Sequence, residues 1–328
     1  MTENFLCRVQ TSGKVVIKVV ATHDTKRYER AKREMQLFKM FHKHKRICNL
    51  INSKAVDAVK RCVCIFRFYE LGTVQTLLDT DNLEFTHRPY DDATACLRFK
   101  HTVDMANDVL EGLDCMHKMN IVHRDIKPAN ICVELLPSGT QLRFTIIDLG
   151  AAVSIQVLVS KPVAAVPATI GFTGQFTNLV GVKLPLGTVP FMSPEQIDDD
   201  RTVDGCSDVF SVGVTMYVCL CGRYPFVQTH GIRDEKHLAL KLIQAYASAA
   251  EADPLNITID GAKPRAVDEV IAIVTKSVRK LPKERYTSAA AMKQHIESID
   301  RCCGQRSISC TVASSIRSIV VHTALYAG

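Results

Sequence analysis

The chain has 328 residues and is 47% hydrophobic, which is enough apolar sequence to bury a large core in one domain or two lobes. Its 41 lysines and arginines exceed its 34 aspartates and glutamates by seven, which we interpret as a mild excess spread along the chain. A local basic run at residues 43–46 is interpreted as a solvated loop rather than a nucleic-acid patch. Residues 1–9 are too polar for a signal peptide and no run of about 18 apolar residues predicts a membrane span, so we expect a cytoplasmic protein that binds neither membrane nor nucleic acid.

The first predicted elements are two strands followed by a helix. In residues 5–9 and 14–20, β-branched side chains flank a Thr-Ser-Gly turn, which predicts a hairpin. Lys18 lies within the apolar second strand, and considered alone its stem would lie along the sheet with its ammonium in water. Residues 25–41 repeat apolar side chains at helical spacing, and Glu34 lies beside that apolar face.

A strand, a short helix and a long helix are predicted next. Residues 63–68 are apolar and predict a strand, residues 69–72 break the pattern, and residues 74–78 turn helical. From residue 99 to residue 119 apolar side chains recur at helical spacing. This pattern predicts a long buried helix with Asn120 as its C-cap, which delivers the loop that follows.

That loop and the hairpin after it carry the chemically informative residues. Residues 123–130 read His-Arg-Asp-Ile-Lys-Pro-Ala-Asn, and residues 131–133 and 142–147 predict two strands that lead to an Asp-Leu-Gly at residues 148–150. Magnesium-assisted phosphoryl transfer to a hydroxyl needs one carboxylate to orient the hydroxyl, and an amide and a second carboxylate to hold the metal. The pattern supplies all three groups.

The remaining sequence predicts a long irregular segment and then a helical region. Residues 151–186 contain several prolines and glycines and show no period, which is typical of a functional or disordered segment. Residues 187–195 read Gly-Thr-Val-Pro-Phe-Met-Ser-Pro-Glu. A helix is predicted from Asp208 to Cys221, in which Asp208 could be a helix cap. Further helices are predicted at residues 238–247, 267–277 and 289–299.

The thirteen cysteines include no Cys-x-x-Cys pair with the spacing of a metal site. Close pairs such as Cys62 and Cys64 lie in apolar sequence. Reduced and mostly buried thiols are therefore predicted.

The runs at residues 123–130 and 148–150 together resemble the catalytic loop and metal-binding motif of eukaryotic-type protein kinases, and the lysine followed by Pro-Ala-Asn resembles the serine/threonine branch. The resemblance implies an α+β, two-lobed fold. It assigns residues 1–70 to a small β-rich N-lobe without its first strand, residues 71–300 to a larger, mainly helical C-lobe, and residues 301–328 to a flexible C-terminal tail.

The resemblance implies a role for each polar residue of the catalytic loop. Asp125 would orient the substrate hydroxyl and accept its proton, and Lys127 would neutralise charge on the transferred phosphoryl group. Asn130 and Asp148 would hold Mg²⁺. The implied substrates are ATP and a protein with a serine or threonine acceptor.

The resemblance also assigns the nucleotide-binding residues. Lys18 would be held by Glu34 against the α- and β-phosphates, and residues near 66–69 would form the hinge. Phe66 would lie at the back of the adenine pocket or belong to the plain core. Arg67 and Tyr69 would contribute backbone groups to adenine binding, so the arginine, where relatives often carry an acid, need not harm it.

Regulatory and structural roles follow from the same resemblance. Arg124 would bind a phosphate placed on the irregular segment by an upstream activating kinase, with Ser160, Thr173 and Thr177 as candidate acceptors or ordinary loop residues. Thr188 would bond Asp125 and Lys127. Three further residues would be structural: a buried pair of Glu195 with Arg285, and Asp208 as an anchor for the catalytic-loop backbone.

One departure from the family bears on activity. Kinases usually carry a Gly-x-Gly-x-x-Gly-x-Val turn before the strand lysine, whose backbone N–H groups cover the phosphates, whereas Gly13 is the one glycine before Lys18. We expect either a truncated chain or ATP binding without this lid. The functional alternatives are therefore an active serine/threonine kinase and a kinase-fold scaffold without phosphotransfer. A small-molecule kinase is disfavoured, because residues 187–195 resemble a peptide-docking segment.

Overall fold

The structure is a computed structural model that describes residues 2–9, 13–80, 92–155, 189–198, 203–226 and 265–302. The sheet-rich part contains β1 (Thr2–Val9), β2 (Gly13–Ala21), α1 (Thr25–Met40), β3 (Leu50–Val56) and β4 (Arg61–Arg67). The part that follows contains α2 (Val74–Thr80), α3 (Asp92–Lys118), β5 (Ile121–Val122), β6 (Ile131–Leu135), β7 (Leu142–Ile146), β8 (Val153–Ser154), α4 (Pro194–Asp198), α5 (Gly205–Cys221), α6 (Arg265–Ser277) and α7 (Ala289–Cys302). The predicted α+β class is confirmed, while the lobe boundaries at residues 70 and 300 stay predictions.

A four-stranded antiparallel sheet forms the first part, in the order β1-β2-β4-β3. Its register places Lys18 opposite Asn4 on one side and Cys64 on the other. The strands predicted at residues 5–9, 14–20 and 63–68 are present, and their observed ends lie within about three residues of the predicted ends. β3 was not predicted, because its sequence Leu-Ile-Asn-Ser-Lys-Ala-Val is polar at the centre and lies at the sheet edge.

Helix α1 packs one face on this sheet. It begins after Asp24, whose carboxylate accepts hydrogen bonds from the backbone N–H groups of Lys26 and Arg27 and so acts as the N-cap. The buried face is apolar and recurs at helical spacing, with Tyr28, Ala31, Met35 and Phe38. Burial of this face fixes which way Glu34 points, one residue before Met35.

The second part is built around α3 and α5, whose facing side chains form the main core. In α3 the core residues with zero exposure are Ala106, Leu110, Leu113 and Met116. Asn120 follows α3 with φ +55° and its N–H bonds the carbonyl of His117, which fits the predicted C-cap. Helix α5 starts at the N-cap Asp204, so the alternative that Asp208 caps this helix is wrong.

An ion-pair junction ties the sheet-rich part to β7. The Arg46 guanidinium contacts both carboxylate oxygens of Asp108 on α3, at 3.0 and 2.9 Å, and Glu111 at 3.2 Å. Asp108 also accepts a hydrogen bond from the N–H of Phe144 in β7, and the N–H of Ile146 donates to the Arg46 carbonyl at 2.8 Å. The strand that ends two residues before Asp148 is therefore held from both sides.

Several predictions fall outside the described residues. These are the turn at residues 11 and 12, the helix at residues 238–247, and, apart from the last two residues of α7, the tail at residues 301–328. Eight of the cysteines in the described residues are free thiols, and five of these are buried: Cys48, Cys62, Cys64, Cys132 and Cys219. Among the described helices none is both long and apolar enough to span a membrane.

Candidate active site

The structure brings Lys18, Glu34 and Asp148 together. The Lys18 ammonium lies 2.6 Å from the Glu34 carboxylate and 3.7 Å from that of Asp148. Burial alone would lower the pKa of Lys18, but the two carboxylates outweigh it and raise the pKa. Burial likewise would raise the pKa of Asp148, yet Lys18 and the Gly150 N–H hold it below its usual value. The cluster therefore keeps a charged ammonium beside an ionised carboxylate.

The catalytic loop is anchored through a fully buried carboxylate. Asp208, with 0% exposure, accepts hydrogen bonds from the backbone N–H groups of His123 and Arg124 at 2.9 and 2.8 Å, as the resemblance implied. The Nε2 atom of His117, on α3, lies 2.8 Å from the same carboxylate. Burial would raise the pKa of Asp208, but these partners lower it, so the loop backbone is tied to an anion.

Within the loop, the Asp125 carboxylate contacts Asn130 and Lys127. The Asn130 amide nitrogen donates to the Asp125 carbonyl and carboxylate, both at 2.8 Å. The Lys127 ammonium lies 3.0 Å from the second carboxylate oxygen of Asp125. Because both amide hydrogens of Asn130 are used, its amide oxygen is the atom with lone pairs left for a cation.

The β6–β7 hairpin places Asn130 near Asp148. Asn130 directly precedes β6 and Asp148 follows β7, and the two strands are antiparallel with Ile131 opposite Ile146. The N–H of Ile147 also donates to the Asn130 carbonyl at 2.9 Å. Both residues therefore lie at the same end of the hairpin.

Backbone strain and close packing mark the Asp-Leu-Gly turn. Asp148 has φ +63°, and its carboxylate accepts the Gly150 N–H at 3.0 Å. A Cβ on Gly150 would lie 2.9 Å from that carboxylate, so a side chain at residue 150 would displace it. Leu149 is 1% exposed and lies in the same core cluster as Phe38.

The side chains of the predicted hinge residues are engaged within the protein. Phe66 packs edge-on against Phe38 with ring centroids 4.8 Å apart, which favours the interpretation of Phe66 as a core residue. Arg67 forms an ion pair with Glu134, and Tyr69 is buried. Adenine binding by the backbone of this segment stays a prediction.

Glu195 and Arg285 form the expected buried ion pair. Two nearly parallel contacts of 2.7 and 2.8 Å join the guanidinium to the carboxylate, and the Ser207 hydroxyl donates to the carboxylate at 2.6 Å. Arg285, at 2% exposure, also donates to the carbonyl oxygens of Arg279, Lys280 and Cys206. The pair thus ties α4 to α5 and to the turn before α7.

Arg124 contacts the first residue of the predicted irregular segment, Ala151. Its Nε atom donates to the Ala151 carbonyl at 2.8 Å, and its own carbonyl accepts from the Gln196 amide at 3.0 Å. Ser160, Thr173, Thr177 and Thr188 lie outside the described residues.

Sequence reasoning missed three contributors to this site. His117, Gln196 and Arg46 each act through tertiary contacts that no local pattern displays. The one available signal was chemical: a histidine near the C-terminal end of a helix with recurring apolar residues, and a basic run that ends at Arg46.

The donor set fits magnesium. An amide oxygen of Asn130 and the carboxylate of Asp148 are hard oxygen ligands, which Mg²⁺ prefers, and they lie at one end of the hairpin next to the Lys18 ammonium. The arrangement can hold a metal–polyphosphate complex and set a carboxylate, Asp125, beside it.

Comparison with known proteins agrees with this geometry. The protein kinase domain family matches residues 3–296. The serine/threonine-protein kinase PknL of Mycobacterium tuberculosis is 30% identical over 271 residues, which cover 80% of this chain and 55% of PknL. PksC of Streptomyces coelicolor, another serine/threonine-protein kinase, is 28% identical over 238 residues, covering 73% of this chain and 35% of its own.

A eukaryotic relative gives a similar match. The DNA damage response protein kinase DUN1 of Saccharomyces cerevisiae is 32% identical over 203 residues, or 60% of this chain and 34% of DUN1. The chain spans about half the length, or less, of these curated relatives. With a family match over nearly all of its length and the polar residues of the motif brought together in space, the chain belongs to the protein kinase family.

Proposed function

We propose that the chain is an ATP- and magnesium-dependent serine/threonine protein kinase. The observation that carries the proposal is the convergence of Lys18, paired with Glu34, on Asp148 at the end of the hairpin that also presents Asn130. A structural salt bridge needs two of these groups, whereas binding a metal–polyphosphate needs all four.

Each residue has a definite task in the proposed reaction. Lys18, kept charged and oriented by Glu34, binds the phosphates of ATP. Asp125 accepts a hydrogen bond from the substrate hydroxyl and takes its proton as that oxygen bonds to the γ-phosphorus of ATP, while the bond from the γ-phosphorus to the bridging oxygen breaks and ADP leaves. Lys127 lies beside Asp125 and offsets charge on the transferred phosphoryl group.

Asn130 and Asp148 are the proposed magnesium ligands. The magnesium ion, when bound, neutralises charge on the phosphate oxygens. Asp148 is suited to this task because its pKa is held below the usual value, so it stays ionised at neutral pH. The Gly150 N–H fixes one of its oxygens in place.

Serine or threonine is the proposed acceptor, supported by Lys127 within the loop and by the names of the relatives. Thr73 and Ala129 stand where basophilic relatives carry acids that bind a substrate arginine. We therefore expect no strong preference for basic residues upstream of the acceptor. A peptide-library profile dominated by upstream arginine would contradict this expectation.

The test is transfer of labelled phosphate from ATP to a generic protein in the presence of Mg²⁺, followed by identification of the labelled amino acid. Phosphoserine or phosphothreonine is expected, and phosphotyrosine alone would overturn the serine/threonine assignment. ATP binding without transfer to any acceptor would favour the alternative of a kinase-fold scaffold. The glycine content before Lys18 makes that alternative worth testing, since Gly13 is the one glycine there.

A further inference from the structure

The two halves of helix α1 are held in different ways. The C-terminal half places Met35 and Phe38 in the main core. The N-terminal half places Tyr28 and Ala31 in a separate cluster, which has four buried members among the described residues. Because apolar contact stabilises in proportion to the area removed from water, packing alone holds the N-terminal half less firmly.

A carboxylate on the turn between β3 and β4 contacts this N-terminal half. The Asp57 carboxylate accepts hydrogen bonds from the Tyr28 hydroxyl at 3.1 Å and from the Lys32 ammonium at 2.9 Å. The two donors lie four residues apart, on successive turns of α1, and the Lys32 ammonium also lies 5.3 Å from the centre of the Tyr28 ring. One side chain of the turn is therefore joined to two turns of the helix.

Lys60, at the end of the same turn, holds the start of α1. Its ammonium donates to the His23 carbonyl at 3.0 Å and to the hydroxyl of Thr25, the first residue of the helix, at 2.7 Å. The Lys60 carbonyl accepts the Thr22 N–H at 3.3 Å, and Lys60 has φ +43°, which is unfavourable for a lysine. We name Asp57 and Lys60 the α1 clamp.

The residues of α1 that contact the candidate active site lie in or next to the clamped half. The Arg30 Nε atom donates to the Gly150 carbonyl at 2.7 Å, and Glu34 pairs with Lys18 at 2.6 Å. The backbone hydrogen bonds of a helix make it one stiff unit. A swing of the N-terminal half of α1 about its core-packed end would therefore move both side chains away from their partners.

We propose that Asp57 and Lys60 are positioning residues for the proposed phosphate transfer: by holding the N-terminal half of α1 on the sheet, they keep Glu34 paired with Lys18 and keep Arg30 bonded to the Asp-Leu-Gly turn. Asp57 is 74% exposed, and exposed ion pairs contribute little to global stability. The clamp therefore acts on the balance between two positions of α1 and not on whether the chain folds. Its effect on transfer rests on the proposed function, whereas its effect on α1 does not.

The test compares two clamp variants of the full chain with a matched control. Asp57→Ala removes the shared acceptor of Tyr28 and Lys32, and Lys60→Met removes both contacts of the ammonium. Glu29→Ala is the control, because Glu29 is an exposed acid whose carboxylate lies 3.9 Å from the same Lys32 ammonium but belongs to the helix and not to the turn. Its loss changes the net charge as much as Asp57→Ala does.

Hydrogen–deuterium exchange of the α1 amides tests the positioning of the helix without reference to activity. In both clamp variants the amides of residues 29–34 are expected to exchange about fivefold faster than in wild type, while those of residues 36–40 keep the wild-type rate. Glu29→Ala should leave all of these rates unchanged. Unchanged exchange at residues 29–34 in the clamp variants, or equally faster exchange over the whole chain, would overturn the proposal.

Kinetics test whether the clamp acts through Glu34. Asp57→Ala should lower kcat/KM for ATP about fivefold and leave KM for the acceptor protein unchanged. In a Glu34→Ala background the same substitution should cost less than about twofold, because the contact that the clamp maintains is already gone. An equal loss in both backgrounds, or the same loss in Glu29→Ala, would overturn the proposal.

The two measurements separate this inference from the proposed function. Faster exchange at residues 29–34 in the clamp variants, without any phosphate transfer by wild type, would contradict the kinase activity alone. Transfer that is equally fast in wild type and Asp57→Ala would contradict the role of the clamp alone.

Discussion

At the scale of single residues, the site depends on charges whose ionisation is set by neighbours. Lys18 stays charged because Glu34 and Asp148 outweigh the effect of its burial, and Asp208 stays ionised because backbone N–H groups and His117 outweigh its burial. Each group is held by partners from another element. The residues of the catalytic loop are therefore close together in sequence, but contacts with other elements hold them in place.

Replacing Asp148 by asparagine tests the proposed metal ligand. We expect Asp148→Asn to lose nearly all phosphate transfer with little change in melting temperature, because asparagine tolerates the positive φ and its amide oxygen still accepts the Gly150 N–H. The measurement pairs single-turnover transfer with thermal unfolding. Asp114→Asn, in an exposed pair with Lys118, is the control and should leave both unchanged.

An equal loss of folding and activity in Asp148→Asn would contradict the assigned role.

How far these residues could be predicted depends on where their partners come from. The residues of the loop were identified because a linear motif displays them, and the Glu195–Arg285 contact was expected only through the resemblance. His117 and Gln196 could not be predicted, since their roles arise from contacts 91 and 72 residues away. Side chains that act through such contacts leave no local pattern.

At the scale of elements, the Arg46 junction fixes β7, which leads to Asp148. Arg46→Met should destabilise the protein by about 3 kcal/mol in chemical denaturation, because it leaves the buried Asp108 carboxylate without its cation. Lys118→Met breaks an exposed pair in which the lysine is 73% exposed, and it should have no measurable effect. Equal effects of the two substitutions would contradict the importance of the junction.

The loss caused by Arg46→Met should shrink in acid. Burial raises the pKa of Asp108 to about 6, with Arg46 and the Phe144 N–H opposing the shift. Below that pH the carboxyl is neutral in the folded protein, so the ion pair is already weakened in wild type. Denaturation of both proteins between pH 5 and pH 8, values that bracket about pH 6, should show the difference growing with pH. A constant difference would contradict the assignment.

The Glu195–Arg285 pair should lose its contribution to stability at a lower pH than the Arg46–Asp108 pair. Although burial would raise it, Arg285 and Ser207 hold the pKa of Glu195 below its ordinary 4.5. The stability from this pair is therefore complete above pH 4.5 and is lost as pH falls through the lower folded-state pKa. Arg285→Met should cost about 3–5 kcal/mol near neutral pH and less in acid. Chemical denaturation of wild type and Arg285→Met, at neutral pH and in acid, measures the cost under both conditions. A cost that stays the same at both pH values would contradict the pairing.

Among the elements, those with strong periodicity were predicted and the weakly patterned one was not. Helices α1, α6 and α7 lie close to the expected bounds because their buried faces repeat at helical spacing, whereas α3 begins seven residues earlier than expected. β3 escaped prediction because an edge strand buries few side chains, and its central residues are polar. Helix α5 begins earlier than expected, at the Asp204 cap.

At the scale of the whole molecule, the sheet-rich part and the helical part each supply half of the site. Lys18 and Glu34 come from β2 and α1, while Asp125, Asn130 and Asp148 come from the loop and hairpin after α3. The proposed transfer of phosphate therefore requires the two parts to be held together, which the Arg46 junction and the Lys18–Asp148 contact both do. Fold class and site composition could be predicted, but this joining could not, because it depends on packing between distant segments.

The measurement that tests the central claim most directly compares phosphate transfer by wild type and by Asp125→Ala, with MgATP binding measured on both proteins. The account predicts transfer by wild type, its loss in Asp125→Ala, and similar MgATP affinity for the two, because Asp125 acts on the acceptor hydroxyl. If wild type binds MgATP but neither protein transfers phosphate, or if the variant transfers as fast as wild type, the assignment of Asp125 and of kinase activity is contradicted.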